Sequence, residues 1–161
     1  LAFPETEKLI RLSKLFACSI DYLLSEIIGR EMQEPAEITA DVCVSFIREC
    51  GYFFLATCAG SRPRLRPLGM VVSDGEELLI ITDSRKSVCS DLAQNCGVEL
   101  ASYDPVSGKW IRISGTAEKE STPSCHNMVF SAYPMLRKKY AESREIFLAI
   151  YRIYIEKVSI T

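Results

Sequence analysis

The chain has 161 residues, 48% of them apolar and 25% charged, with a formal net charge of −2. That supports one compact domain with a core and a small appendage, and leaves too little for two full domains. A slightly acidic balance excludes the broad basic surface that grips a nucleic-acid backbone, and no apolar run approaches the ~20 residues needed to cross a bilayer.

From the N-terminus, Pro4 followed by Glu5, Thr6 and Glu7 predicts the first turn of a helix, with carboxylates facing the positive end of its dipole. Leu9, Ile10, Leu12, Leu15 and Phe16 continue it at helical spacing. Ser19 predicts the cap of a second short helix that stops at Gly29, so residues 1–28 are expected to form a helical hairpin. The polar, proline-containing stretch 29–38 reads as a linker. Thr39 then caps a third helix to about Cys50, with Val42, Phe46 and Ile47 inward and Gly51 at its end.

After Tyr52 the pattern turns to short β-type runs: YFFLATCA, RLRPLGMVVS and ELLIIT, joined by the turns GSRP and SDGEE. A helix over 86–95 follows, then VELASYD and KWIRISGTAEKE, a helical stretch after Pro123 broken at Pro134, and a last strand over 147–158. The expected fold class is α+β, a six-stranded, mostly antiparallel barrel with inserted helices over residues 39–161.

Three segments carry possible chemistry. TDSRKS (82–87) ends an apolar strand in a hydroxyl and two cations at a helix start; it reads either as a solvated turn or as a cradle for an anion, with the Thr82 and Ser84 hydroxyls, the Arg85 and Lys86 charges and the helix start as its donors. In RLRPLG (64–69), Arg64 and Arg66 share one strand face, and Pro67 removes a ladder donor, which places an edge or a ligand beside the backbone there. In KWIRISG (109–115), Trp110 and Arg112 share a face opposite Ile111 and Ile113, suiting an aromatic ligand with polar groups or an interface. Seven cysteines without a C-x-x-C spacing are expected to be reduced thiols of a cytoplasmic protein, and with the lone His126 they predict no metal site. No paired carboxylates, Ser-His-Asp or Cys-His arrangement stands out. The opening LAFPETEKLIRL lacks a signal-peptide pattern, and a chain starting at Leu1 is expected to be a fragment or processed form.

Taken together and in order, FFLATCAGSRPRLRPLGMVVSDGEELLIIT, DSRKSVCSDLAQN, VELASYD, KWIRISGTAE and YPMLRKKY with the last strand resemble the FMN-binding split-barrel proteins related to pyridoxamine 5′-phosphate oxidase. The resemblance covers about two thirds of the chain. It implies a homodimer with FMN at the interface: Arg66, Pro67 and Leu68 along the flavin, Thr82, Arg85, Lys86 and Ser87 around the phosphate, and Trp110 and Arg112 from the partner subunit. The oxidase has a loop two residues longer and an arginine-rich C-terminal substrate segment with no match here, so flavin binding is implied and vitamin B6 oxidation is not. The implied activity is oxidoreduction of a small molecule. Separately, PETEKLIRLSKLFACSIDYLLSE resembles the last two helices of a Cro/CI-type helix-turn-helix domain, which implies the alternative of a flavin- or ligand-binding sensor. In that case a longer parent chain, and not this segment, would bind DNA.

Overall fold

The computed structural model describes residues 8, 10, 11, 14, 38–141 and 147–161, with side chains of 139–141 left aside. Contacts divide the chain into Leu1–Glu37 and Ile38–Thr161. Residues 8, 10, 11 and 14 are helical; the rest of the expected hairpin over 1–28, and the linker but for Ile38, lie outside the described residues.

The second unit opens with helix α1 (Ala40–Cys50). The Thr39 hydroxyl accepts from the Val42 amide at 3.4 Å, and Gly51 ends the helix at φ 83°, a left-handed conformation that glycine adopts without a Cβ clash. Ala40, Cys43, Val44 and Ile47 are buried. Val42, expected inward, is exposed because the 3.6-residue turn puts it behind that stripe.

Among the described residues seven strands follow: β1 (Phe53–Ala59), β2 (Arg62–Leu68), β3 (Val71–Ser73), β4 (Leu78–Asp83), β5 (Gly97–Tyr103), β6 (Trp110–Glu120) and β7 (Leu148–Ile160). They form one sheet in the order β2-β1-β5-β6-β7-β4-β3, with antiparallel pairing throughout. The strand number corrects the expectation of six. RLRPLGMVVS was expected to be one strand, but it divides at Gly69-Met70, and its halves β2 and β3 lie at opposite ends of the sheet. Two linking residues let Leu68 and Val71 be at most ~11 Å apart. The sheet must therefore roll until its edges approach, and the result is an α+β split barrel.

Inside the roll lie Phe53, Leu55, Ile80, Leu100, Ile111 and Ile113, among others. Leu79 and Ile81, on the other face of β4, pack against Val129 of α3 (Pro123–Ala132) and Leu136 of α4 (Pro134–Ala141). Burial on both faces explains why LLII is continuously apolar where β1 and β6 alternate. Helix α2 (Ser87–Gln94) buries Val88 and Leu92 against the same interior. Among the described residues Cys43, Cys50, Cys58, Cys89, Cys96 and Cys125 are free thiols, and burial pushes Cys43 up to about 11. No described helix is long and apolar enough to cross a membrane.

Candidate functional site

The end of β4 turns sharply into α2. The Asp83 carboxylate accepts the Arg85 amide at 2.9 Å and the Asp83 carbonyl accepts the Lys86 amide at 3.0 Å, a local side-chain turn of the kind that aspartate favours. Lys86 occupies the helix N-cap without a side-chain cap bond, so the first amides of α2 keep their donor capacity. The 69–70 crossover passes alongside, held where the Met70 carbonyl accepts the Ile81 amide at 3.3 Å. Tyr133 pins the next residue: its hydroxyl accepts from the Val71 amide and donates to the Val71 carbonyl, both at 3.0 Å. These pieces enclose a cavity of about 270 Å³ lined by Pro67, Leu68, Gly69, Met70, Ile81, Thr82, Asp83, Lys86 and Leu136.

Two polar features of this cavity are unspent. The Thr82 hydroxyl is buried and has no hydrogen-bond partner among the described residues, a state that costs about 1–3 kcal/mol unless something fills it. Lys86 has no carboxylate partner among the described residues. Thr82→Val is therefore expected to raise the melting temperature of the ligand-free protein by about 2–4 °C, because it removes an unsatisfied group at nearly constant volume. Differential scanning calorimetry of the two proteins checks this, and a fall in melting temperature would mean that the hydroxyl has a partner.

Of the nine residues expected at the site, Pro67, Leu68, Thr82 and Lys86 line this one cavity. Arg66 is drawn off it. Its guanidinium meets the Asp91 carboxylate of α2 at 2.6 Å and donates to the Thr57 hydroxyl at 3.0 Å, while that hydroxyl donates to Asp91 at 3.2 Å. Arg85 is turned back on Asp83, with Nε and a terminal nitrogen donating to the two carboxylate oxygens at 2.9 and 2.6 Å, and its guanidinium lies 3.9 Å over the Phe147 ring. This bond set holds the Asp83 carboxyl far below the usual carboxylate range. Ser87, the exposed first residue of α2, accepts a bond from Ser90 through its carbonyl. Trp110 and Arg112 stack at 4.5 Å on the outer face of β6, and Arg112 pairs with Glu99 at 2.9 Å. Register pairs run Pro67–Phe54–Ala101–Arg112 across the sheet. Three strand spacings separate Pro67 from Arg112, ~14 Å, so within one chain Arg112 belongs to a different place from the cavity.

Sequence reasoning missed Asp83, Asp91, Met70 and Leu136. Asp83 stands inside the quoted segment TDSRKS, whose hydroxyls and cations alone draw the eye. Asp91 is 25 positions from Arg66 and nothing local marks the pair.

A family model described as pyridoxamine 5′-phosphate oxidase matches residues 39–159. No curated protein matches the chain. Among solved structures, a NimC/NimA family protein of Clostridium acetobutylicum is 26% identical with a TM-score of 0.64, covering 74% of this chain and 89% of that one. A FAD-binding protein of Mesorhizobium loti is 17% identical, TM-score 0.55, covering 76% and 93%. HutZ, the heme storage protein of Vibrio cholerae, is 13% identical, TM-score 0.59, covering 76% and 92%. The last two likenesses speak to the fold alone.

Proposed function

Since the chain belongs to the pyridoxamine 5′-phosphate oxidase family, we propose that it is an FMN-binding homodimeric flavoprotein acting as an oxidoreductase on a small molecule. One observation carries the reading: a buried hydroxyl, Thr82, and a lysine, Lys86, neither with a hydrogen-bond or carboxylate partner among the described residues, line one cavity walled by Pro67, Leu68, Met70 and Leu136. Such a donor set fits a phosphate, with apolar walls for what is attached to it. A cavity of about 270 Å³ takes one end of a ligand of this size, since whole ligand pockets run from about 300 Å³ upward.

The remainder of the ligand would lie beside the outer sheet face, where Phe54, Leu65 and Tyr103 are exposed. A second copy packed on that face covers these side chains and brings its own Trp110 and Arg112 to the ligand, which the ~14 Å across the sheet forbids within one chain. When bound, FMN supplies the electron-transfer chemistry. The chain's part is to hold the phosphate through Lys86, Thr82 and the first amides of α2, and to keep water from the buried end with Leu136 and Met70.

Lys86→Ala is expected to weaken FMN binding about 10- to 100-fold while leaving riboflavin, which lacks the phosphate, within about threefold. Fluorescence titration of both ligands measures it, and equal loss for the two would remove Lys86 from the phosphate end. The other reading, a flavin- or ligand-binding sensor, is favoured by the helix-turn-helix resemblance of residues 1–28. Turnover of NADH or NADPH with a panel of acceptors separates it from the enzyme. A bound flavin with no turnover under any of them supports the sensor.

A further inference from the structure

We propose that Asp83 is a built-in competitor for Arg85 that sets how strongly the cavity holds an anion, so that a ligand phosphate gains the arginine only by displacing the carboxylate. The inference rests on the FMN reading of the same cavity. A phosphate monoester carries about −1.5 to −2 charges at neutral pH, whereas the site presents Lys86, which has no carboxylate partner among the described residues, beside an Arg85 that Asp83 already engages. The charge deficit is met when Arg85 changes partner.

The geometry supports that exchange. Asp83 itself lines the cavity, and its carboxylate engages two guanidinium nitrogens in the fork arrangement that a phosphate would also take. The Arg85 side chain is 63% exposed, and an ion pair that open contributes little to the fold, so giving it up for another anion is energetically accessible. Phe147 under the guanidinium keeps the arginine beside the site through the exchange, because stacking on a ring face does not depend on which anion meets the edge.

Asp83→Asn isolates the effect. Asparagine retains an oxygen that can accept the Arg85 amide, so the turn into α2 is kept, while the negative charge and the fork are lost. The experiment titrates FMN and riboflavin into wild type, Asp83→Asn, Arg85→Ala and the double variant. FMN affinity is expected to rise about two- to fivefold in Asp83→Asn, riboflavin affinity to stay level, and the FMN gain to vanish in Asp83→Asn/Arg85→Ala. A gain that persists in the double variant reduces Asp83 to simple repulsion and overturns the competitor role; so does no gain while Lys86→Ala still weakens FMN, and in both cases the FMN reading stands. Flavin binding by none of the proteins overturns both. A ligand-free readout accompanies these: exchange of the Arg85 Nε proton with solvent is expected to be slow in wild type and faster in Asp83→Asn, and equal rates overturn the proposal whatever the titrations give.

Discussion

Gly115→Ala is expected to destabilise the protein by about 3 kcal/mol, at the upper end for inserting one methyl group into a packed region. The reason is room: a Cβ at Gly115 would drive into the Tyr154 carbonyl of the neighbouring strand, whose carbon is 3.1 Å away. That carbonyl stands so close because the β6–β7 register shifts between Ser114 and Gly115. Ser114 opposes Lys157 while Gly115 opposes Ile155, so Glu156 is an extra residue in β7, a bulge that bends the strand. The kink is anchored, since the Ile155 amide donates to the Glu77 carboxylate at 2.7 Å. Backbone on both sides cannot yield as a flexible side chain would. For a domain of this size the change corresponds to a loss of roughly 6–12 °C in melting temperature, and a thermal scan within 2 °C of wild type would show that the strands part without cost.

Asp91→Ala is expected to cost about 3 kcal/mol, because it leaves the Arg66 guanidinium without its anion in a site where the two side chains are only 19% and 6% exposed. Arg66→Ala strands the opposite charge, so the double variant should lose less than the sum, with a coupling of about 1–3 kcal/mol in urea unfolding. The pair also has a pH signature. The hydrogen bond from Arg66 holds the Asp91 carboxyl below the usual carboxylate range. A carboxyl depressed in the folded state stabilises fully above its unfolded value of about 3.9, and that contribution drains away as pH falls through the folded value. Wild type and Asp91→Ala should thus differ by a constant amount from about pH 5 upward and converge in stronger acid. A difference that is the same at pH 3 and pH 7 would separate the stability effect from the charge.

The same pair bears on the role expected for Arg66. Placed by resemblance along a flavin, its guanidinium is engaged by Asp91 and ties β2 to α2. Arg112 pairs with Glu99, where both side chains are 47% exposed. At that exposure the bond is weak enough to be exchanged for a ligand or a second copy.

Much of the fold was legible locally. Thr39 and Gly51 mark the ends of α1 by side-chain acceptance and by φ, both of which are properties of single residues. The alternation in Phe53–Phe54–Leu55 and Trp110–Ile111–Arg112–Ile113 declares strands with one buried face, because successive side chains of an extended backbone point to opposite sides. The break at Gly69-Met70 was not legible: nothing local distinguishes a strand that continues from one that leaves its sheet and rejoins at the far edge.

By itself the sequence determined the α+β class, the positions of most elements, and a strand end rich in hydroxyls and cations at a helix start. Which of those cations is drawn into an ion pair was decided by the tertiary structure. Register and the roll of the sheet bring Asp91 to Arg66 and Glu99 to Arg112, the turn brings Asp83 to Arg85, and Thr82 and Lys86 are left facing the cavity. Charge pairing depends on distances of a few ångströms between groups that can be far apart in the chain, whereas local patterning records only which face of its own element each side chain occupies.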